Sequence, residues 1–245
     1  MVTKSDPRVL AVQNDPEAPP ARVGKWIAER SVTVETLRPY LGDVVPSTLD
    51  GYDGLLVLGG SMGALDDHIG TWLPQVRSLV RHSVDADRPV FGICLGIQII
   101  SAACGGVVER GNTPELGVGW IDVTDDGRDD AVMGQLPTRA QVPQMHRDGV
   151  AHPPLGATVL ATSPFYPVQA LRIGTRVYGV QGHPEIDASV MARWGDESEA
   201  DILEGAGKTL EDAVEELSAS QDAIEDSWRP VFHAWADLVV EYAGG

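Results

Sequence analysis

Residues 89–100 read Pro-Val-Phe-Gly-Ile-Cys-Leu-Gly-Ile-Gln-Ile-Ile, an apolar strand that passes through a glycine-flanked cysteine into an apolar helix. Gly92 and Gly96 frame Cys94 in a Gly-x-Cys-x-Gly pattern. This pattern is typical of a nucleophile elbow, because a tight strand-to-helix turn leaves no room for Cβ atoms two residues to either side. At the helix N-terminus, the helix dipole and free N–H groups favour a thiolate. Cys94 is therefore a candidate nucleophile, and a small buried core cysteine is the alternative.

A second pattern far downstream supplies a base for this cysteine. Residues 178–185 read Tyr-Gly-Val-Gln-Gly-His-Pro-Glu, so a short strand ends in His183, Pro184 and Glu185. A nucleophilic cysteine needs an imidazole to take its proton, and the imidazole needs a carboxylate to fix its tautomer. Pro184 predicts an extended backbone that places both side chains on one side of the strand end. Together, the two patterns predict a Cys-His-Glu triad far more specifically than either does alone.

The same two patterns resemble the signatures of the class I, triad-type glutamine amidotransferase family, which hydrolyses the side-chain amide of glutamine. They are Cys-Leu-Gly-Ile-Gln at 94–98 and Gly-His-Pro-Glu at 182–185. The resemblance implies that Cys94 is the nucleophile, that His183 is the general base and acid, and that Glu185 orients the imidazole.

The resemblance covers roughly residues 7–190 and implies further site residues. Gln98 matches the family residue that helps to hold the amino acid end of the substrate. Gly59 and Gly60 follow an apolar strand and match the glycines of the family's oxyanion hole. The N–H groups of Gly60 and Leu95 are therefore implied to receive the developing oxyanion, where loss of one donor costs about 2.7–4 kcal/mol.

A tripeptide at 146–148 bears on the substrate. His146-Arg147-Asp148 lies where relatives carry a backbone loop that contacts substrate. The guanylate synthetase branch carries His-Gly-Asp there, and the stand-alone γ-glutamyl peptidase branch carries His-Arg-Asp. The resemblance thus implies that His146 and Arg147 bind substrate. The alternative is that His146 and Asp148 make hydrogen bonds that fix the turn.

Strand and helix patterns alternate along the first hundred residues. Strand-length apolar runs at 8–13, 55–58 and within 89–100 are separated by helical patterns at 21–30 and 71–83. This alternation predicts an α/β fold with a doubly wound, mostly parallel sheet and a site at the carboxyl ends of its strands. The family resemblance implies the flavodoxin-like class I amidotransferase fold.

Short strand patterns follow Gly106. They lie at 107–110, 118–123 and 142–150 and predict a small antiparallel excursion. Residues 158–180 read as three further strands, the last of which leads to the histidine.

The C-terminal part of the chain reads as a helical extension. We expect residues 1–195 to form the amidotransferase domain, and 196–245 to form an acidic connector and a helical extension packed on the same domain. Apolar positions fall on two predicted helix faces: Leu210, Ala213, Val214 and Leu217 on one, and Trp228, Val231, Phe232, Trp235 and Leu238 on the other. A helix that binds a partner's groove is the alternative.

Charge and composition limit the partners. With 36 acidic and 18 basic residues, the formal net charge of −18 disfavours nucleic acid and anionic membranes. Two cysteines, no secretory signal and no apolar run of about 18 residues indicate a cytoplasmic protein. The stretch 205–209 resembles the end of a P-loop but lacks the required earlier glycine, and the six histidines lack metal-binding spacings. No cofactor and no metal are expected.

Three functions follow from these patterns. The first is a glutaminase that supplies ammonia to a synthetase on another polypeptide, since no synthetase segment is recognisable in the chain. The second is a stand-alone γ-glutamyl peptidase with the same triad, favoured by His146-Arg147-Asp148. The third is a non-catalytic regulatory relative, against which the intact triad argues.

Overall fold

The computed structural model of the protein describes residues 6–195 and 200–245, so most of the predicted acidic connector, 196–199, lies outside the described residues. Within them, nine strands form a single sheet. The strands are β1 (Arg8–Val12), β2 (Thr33–Leu37), β3 (Gly54–Val57), β4 (Val90–Ile93), β5 (Val107–Val123), β6 (Arg139–His152), β7 (Ala157–Thr162), β8 (Ala170–Ile173) and β9 (Val177–Val180). The helices are α1 (Ala21–Ala28), α2 (Leu73–Asp85), α3 (Leu95–Ala103), α4 (Asp125–Arg128), α5 (Ala188–Met191), α6 (Ala200–Ala206) and α7 (Leu210–Gly244).

The sheet is mixed, with the order β2-β1-β3-β4-β9-β8-β7-β5-β6. The five strands from β2 to β9 run parallel, and the pairs from β9 to β6 are antiparallel. The predicted α/β class and doubly wound sheet are confirmed, but the antiparallel part is larger than a small excursion. One reason is that the strands predicted at 107–110 and 118–123 are a single strand, β5. It continues through an irregularity in its register with β6 between Arg110 and Glu115.

Helices cover both faces of the parallel half of the sheet. Alternate residues of β1 point to opposite faces, as the two-residue period of a strand requires. Val9 and Ala11 pack in the layer that contains α1 and α7. Leu10 and Val12 pack in the layer that contains α2 and α3. Because β1, β3, β4 and β9 run parallel, their carboxyl ends lie together at one edge of the sheet.

The C-terminal extension contains one long helix. Thr209 and Asp212 form a capping box at the start of α7, which continues for 35 residues through Pro230. The prediction of two apolar faces is wrong, because the buried residues follow one continuous helical period. They are Ala213, Leu217, Ile224, Trp228, Val231, Phe232, Trp235, Ala236 and Val239.

The apolar stripe of α7 lies against α1, β5 and β6. The division of the chain at residue 195 stays a prediction. Among the described residues no helix, α7 included, is both long and apolar enough for a membrane span.

Trp228 anchors α7 to the sheet, and its removal is expected to be costly. Its side chain is fully buried, and its indole Nε1 donates to the carbonyl oxygen of Gln141 at 2.8 Å. Trp228→Ala should lower the free energy of unfolding by about 3–5 kcal/mol, since it leaves a cavity. Trp120, which is 46% exposed, is the matched control, and Trp120→Ala should change the same quantity by less than about 1 kcal/mol. Denaturant titration measures both, and equal effects would contradict the packing described.

Candidate active site

Cys94 occupies a strained turn between β4 and α3. Its backbone angles are φ 52° and ψ −107°, which residues with a side chain rarely adopt. Its N–H donates to the carbonyl oxygen of Val180 on β9 at 2.9 Å. A Cβ on Gly92 would lie 2.5 Å from the carbonyl carbon of Gly96, and a Cβ on Gly96 would lie 2.0 Å from the oxygen of Val57. The predicted strand-to-helix turn is present, and close backbone approach requires glycine at both flanking positions.

His183 and Glu185 form a buried pair just after β9. Nδ1 of His183 lies 2.8 Å from Oε1 of Glu185, and the residues are 4% and 0% exposed. The predicted extended backbone at Pro184 is wrong, because the chain turns there and the N–H of Ile186 donates to the oxygen of His183 at 3.4 Å. The turn, rather than an extended strand end, brings the two side chains together.

Cys94 and His183 face each other beside Gly59. A Cβ on Gly59 would lie 3.1 Å from Cε1 of His183 and 3.8 Å from Cβ of Cys94. Burial lowers the pKa of His183, but its interactions with Cys94 and Glu185 outweigh burial and hold this pKa well above its usual value. The site therefore favours an imidazolium beside the sulfur.

Two residues that no sequence pattern indicated support the His183–Glu185 pair. The Trp194 ring packs edge-on against the imidazole of His183, with 4.8 Å between ring centroids, and its Nε1 donates to the oxygen of Glu17 at 2.9 Å. The backbone N–H of Arg22 donates to the backbone carbonyl oxygen of Glu185 at 3.0 Å. Both hydrogen bonds join residues more than 150 positions apart, so no local spacing could have revealed them.

Gln98 lies in a short hydrogen-bonded chain that ends at the thiol. Its Nε2 donates to the backbone carbonyl oxygen of Asp148 at 3.0 Å and to Oε1 of Gln181 at 3.3 Å. Nε2 of Gln181 lies 3.6 Å from Sγ of Cys94. Gln181 stands in the predicted histidine pattern, but the pattern assigned it no role. Gln98 thus connects the cysteine to the 146–148 segment.

Two backbone donors next to Cys94 are free. Among the described residues, neither the N–H of Gly60 nor that of Leu95 has an acceptor. The two residues lie side by side, since a Cβ on Gly60 would be 3.0 Å from Cδ2 of Leu95. Gly60 also lines a cavity of about 60 Å³ together with Cys94 and His183. Two backbone donors without an acceptor therefore lie next to Cys94.

The residues of the 146–148 segment differ in their surroundings. Both ring nitrogens of His146 lie 3.0 Å from acceptors within the protein. Nδ1 lies at this distance from the backbone carbonyl oxygen of Asp148, and Nε2 from Oε2 of Glu115. Arg147 donates through Nε to the oxygen of Gly111 at 3.1 Å. The half-buried carboxylate of Asp148 has no hydrogen-bond donor among the described residues, and burial raises its pKa.

A second cavity of about 160 Å³ is also lined by Cys94. Its lining includes Cys94, Gln98, Arg147 and Asp148. No group of three His, Cys, Asp or Glu side chains within residues 6–195 and 200–245 is placed to hold a metal ion. The site combines a thiol, an imidazole–carboxylate pair and free backbone donors, and Cys94 lines both cavities. These groups are the ones that acyl transfer through a thioester requires.

Comparison with known proteins identifies the family. The model of the class-I glutamine amidotransferase family matches residues 23–193. A glutamine amidotransferase-like protein of Salmonella typhimurium, YfeJ, is 30% identical over 212 residues, covering 84% of this chain and 87% of that protein. γ-Glutamyl peptidase 5 of Arabidopsis thaliana is 33% identical over 174 residues, covering 67% of this chain and 68% of that protein.

A glutamine-hydrolysing GMP synthase of Aeropyrum pernix is 42% identical over 151 residues, covering 59% of this chain but only 28% of that longer protein. The crystal structure of a glutamine amidotransferase from Thermotoga maritima superimposes with a TM-score of 0.82 at 24% identity, covering 95% of this chain and 99% of that one. This likeness confirms the fold. The chain belongs to the class I glutamine amidotransferase family, a family of cysteine-dependent amidohydrolases.

Proposed function

We propose that this protein hydrolyses the γ-amide of glutamine through a Cys94-His183-Glu185 triad and a γ-glutamyl thioester, and that the ammonia passes to a separate synthetase. One observation carries this proposal. The thiol of Cys94 faces a buried imidazole whose other ring nitrogen is held by a carboxylate at 2.8 Å. The membership of this chain in the class I glutamine amidotransferase family supports amide hydrolysis as the reaction type.

The chemistry divides into two steps. The thiolate of Cys94 attacks the γ-carbonyl carbon, and the N–H groups of Gly60 and Leu95 stabilise the oxyanion. His183 donates its proton to the leaving nitrogen, so ammonia departs and the thioester remains. His183 then removes a proton from water, which attacks the thioester and releases glutamate. Glu185 stabilises the imidazolium before ammonia leaves and again after water is deprotonated, and it fixes the orientation of the ring throughout.

The second cavity suits the amino acid end of the substrate. We propose that Gln98 positions this end together with the 146–148 segment. His146 would act by holding the backbone of Asp148, because both its ring nitrogens are already engaged. Arg147 and the carboxylate of Asp148 would meet the charged groups of the substrate directly.

A stand-alone γ-glutamyl peptidase is the second candidate function. It would use the same triad but release an amine or a peptide instead of ammonia. The similarity to γ-glutamyl peptidase 5 and the His146-Arg147-Asp148 tripeptide favour it. The similarity to GMP synthase favours the glutaminase with a synthetase partner. A non-catalytic regulatory role fits less well, because it would not require a buried, hydrogen-bonded triad. The two free cysteines suit the reducing cytoplasm, where we place the protein.

Glutamate release from the purified protein distinguishes these functions. We would compare free L-glutamine with a γ-glutamyl dipeptide. Faster release from glutamine is expected and would support the amidotransferase. Faster release from the dipeptide would establish the peptidase. If neither substrate is cleaved even when candidate synthetases are added, the catalytic proposal is wrong.

The charge of Glu185 should set the alkaline limit of activity. Glu185→Gln removes a negative charge next to Nδ1 of His183, and this charge raises the pKa of the imidazole. The pKa should therefore fall and the imidazolium should be lost at a lower pH. We expect the alkaline limb of the pH profile of kcat/KM to move to lower pH, and kcat to fall by roughly a hundredfold or more.

The control for this prediction is Glu29→Gln. Glu29, just after α1, forms an ion pair with Arg229 of α7, and this pair lies away from the site. Its substitution should leave the pH profile in place. An unmoved alkaline limb in Glu185→Gln would show that Glu185 does not act on the charge of His183.

A further inference from the structure

One carboxylate of the C-terminal extension lines the second cavity. Oδ2 of Asp201, on α6, accepts hydrogen bonds from the guanidinium of Arg110 and from Nη1 of Arg147, the latter at 3.2 Å. All three residues line the cavity that reaches Cys94 and Gln98. The two arginines therefore hold a single carboxylate oxygen between them in the wall of this cavity.

The arginines belong to the adjacent strands β5 and β6. In this ladder Arg110 lies directly opposite Asp148, whose carboxylate has no hydrogen-bond donor among the described residues. A pair of cations thus stands beside an unsatisfied anion. The α-carbon of a γ-glutamyl compound carries one carboxylate and one ammonium group side by side, which is the complementary arrangement of charge.

The charge balance of the cavity also indicates that Asp201 stands in for a ligand. With Asp201 in place, the lining carries the carboxylates of Asp66, Asp148 and Asp201 against two arginines. Without it, two carboxylates face two arginines, and a zwitterionic head group would leave the cavity neutral. Bidentate or shared contacts with arginine are the usual way in which proteins bind carboxylates.

We propose that Arg110 and Arg147 form the subsite for the α-carboxylate of the γ-glutamyl substrate, and that Asp201 occupies this subsite in the free protein and competes with substrate for it. The inference rests on the function proposed above. It makes Arg110 a specificity-determining residue, and it gives α6 a role in binding affinity. A structural role for Asp201, as a clasp that merely holds α6 in place, would not depend on whether the ligand has an α-carboxylate.

Binding to a Cys94→Ala background tests the inference without turnover. The ligands are L-glutamine and 4-aminobutanamide, which has the same amide and ammonium groups but no α-carboxylate. Calorimetry gives Kd for both ligands with Asp201→Asn, Arg110→Gln and Arg147→Gln, and for each arginine variant combined with Asp201→Asn. Asp222→Asn, an exposed position on α7, is the control for the change in net charge. Thermal unfolding verifies that each variant is folded.

Asp201→Asn should tighten L-glutamine binding about fivefold or more and leave 4-aminobutanamide binding unchanged. Arg110→Gln and Arg147→Gln should each weaken L-glutamine binding about tenfold, and each should remove the gain from Asp201→Asn. An unchanged Kd for glutamine in Asp201→Asn, or an equal change for both ligands, would overturn the inference alone. If L-glutamine binds to none of the variants, both the inference and the proposed function fail.

Discussion

Cys94→Ala is expected to lower the rate of glutamate release by about 10,000-fold or more while leaving the fold intact. The large effect follows from the absence of any other nucleophile in contact with the His183–Glu185 pair among the described residues. Removing the nucleophile of such a triad alone costs about as much as removing all three residues. Alanine is smaller than cysteine and can occupy the same turn, so the thermal midpoint should change little. Initial rates and thermal unfolding measure the two quantities.

The chain offers a matched control in its second cysteine. Cys104, at the end of α3, is also a free thiol, and burial raises its pKa. Cys104→Ala should retain the activity of the unmodified protein. If Cys104→Ala and Cys94→Ala lose activity equally, or if Cys94→Ala retains it, the assignment of the nucleophile is wrong.

Gly96→Ala is expected to prevent normal folding of the elbow. The new Cβ would lie 2.0 Å from the carbonyl oxygen of Val57, which is backbone at the end of β3 and has no flexible end that can move aside. We expect the free energy of unfolding to fall by at least about 3 kcal/mol, since overpacking of this kind forces backbone shifts. Expression in soluble form and denaturant titration measure the effect.

Gly24→Ala is the control for this substitution. Gly24 lies inside α1, where the nearest side-chain atom to a new Cβ would be Cβ of Pro20 at 3.3 Å. Helix propensity favours alanine there, so the free energy of unfolding should change by no more than about 1 kcal/mol in either direction. A fully stable Gly96→Ala protein would contradict the close contact between α3 and β3.

Local patterns were enough to predict the elbow and the histidine pair. Both depend on short spacings, Gly-x-Cys-x-Gly around Cys94 and His-x-Glu at His183, and steric or hydrogen-bonding rules apply directly to such spacings. The alternation of strands and helices predicted the parallel half of the sheet for the same reason. What the patterns misjudged was also local. Pro184 permits a turn as readily as an extended segment, and the sequence contains no signal that separates them.

Long-range contacts account for what could not be predicted. The indole of Trp194 is held beside His183 by a hydrogen bond to the carbonyl oxygen of Glu17, 177 positions earlier, and Asp201 reaches Arg110 because α6 packs on β5. Neither residue stands in a recognisable motif, and their partners are determined by the path of the chain in space. The sequence pattern divides the single stripe of α7 into two faces because it omits Ile224, which connects the two halves.

The most direct test of the account is trapping of Cys94 with a glutamine analogue that carries a thiol-alkylating diazoketone in place of the carboxamide. Intact mass spectrometry and peptide mapping should show one adduct per chain, located on Cys94 and not on Cys104, and excess L-glutamine should prevent its formation. The thiol would form a bond to the methylene carbon as nitrogen gas leaves, which would show that the thiol lies against the γ-carboxamide position of a bound γ-glutamyl group. Absence of labelling, labelling of Cys104 at a similar rate, or labelling that glutamine does not suppress would contradict the central claim that Cys94 is the nucleophile of a glutamine-binding site.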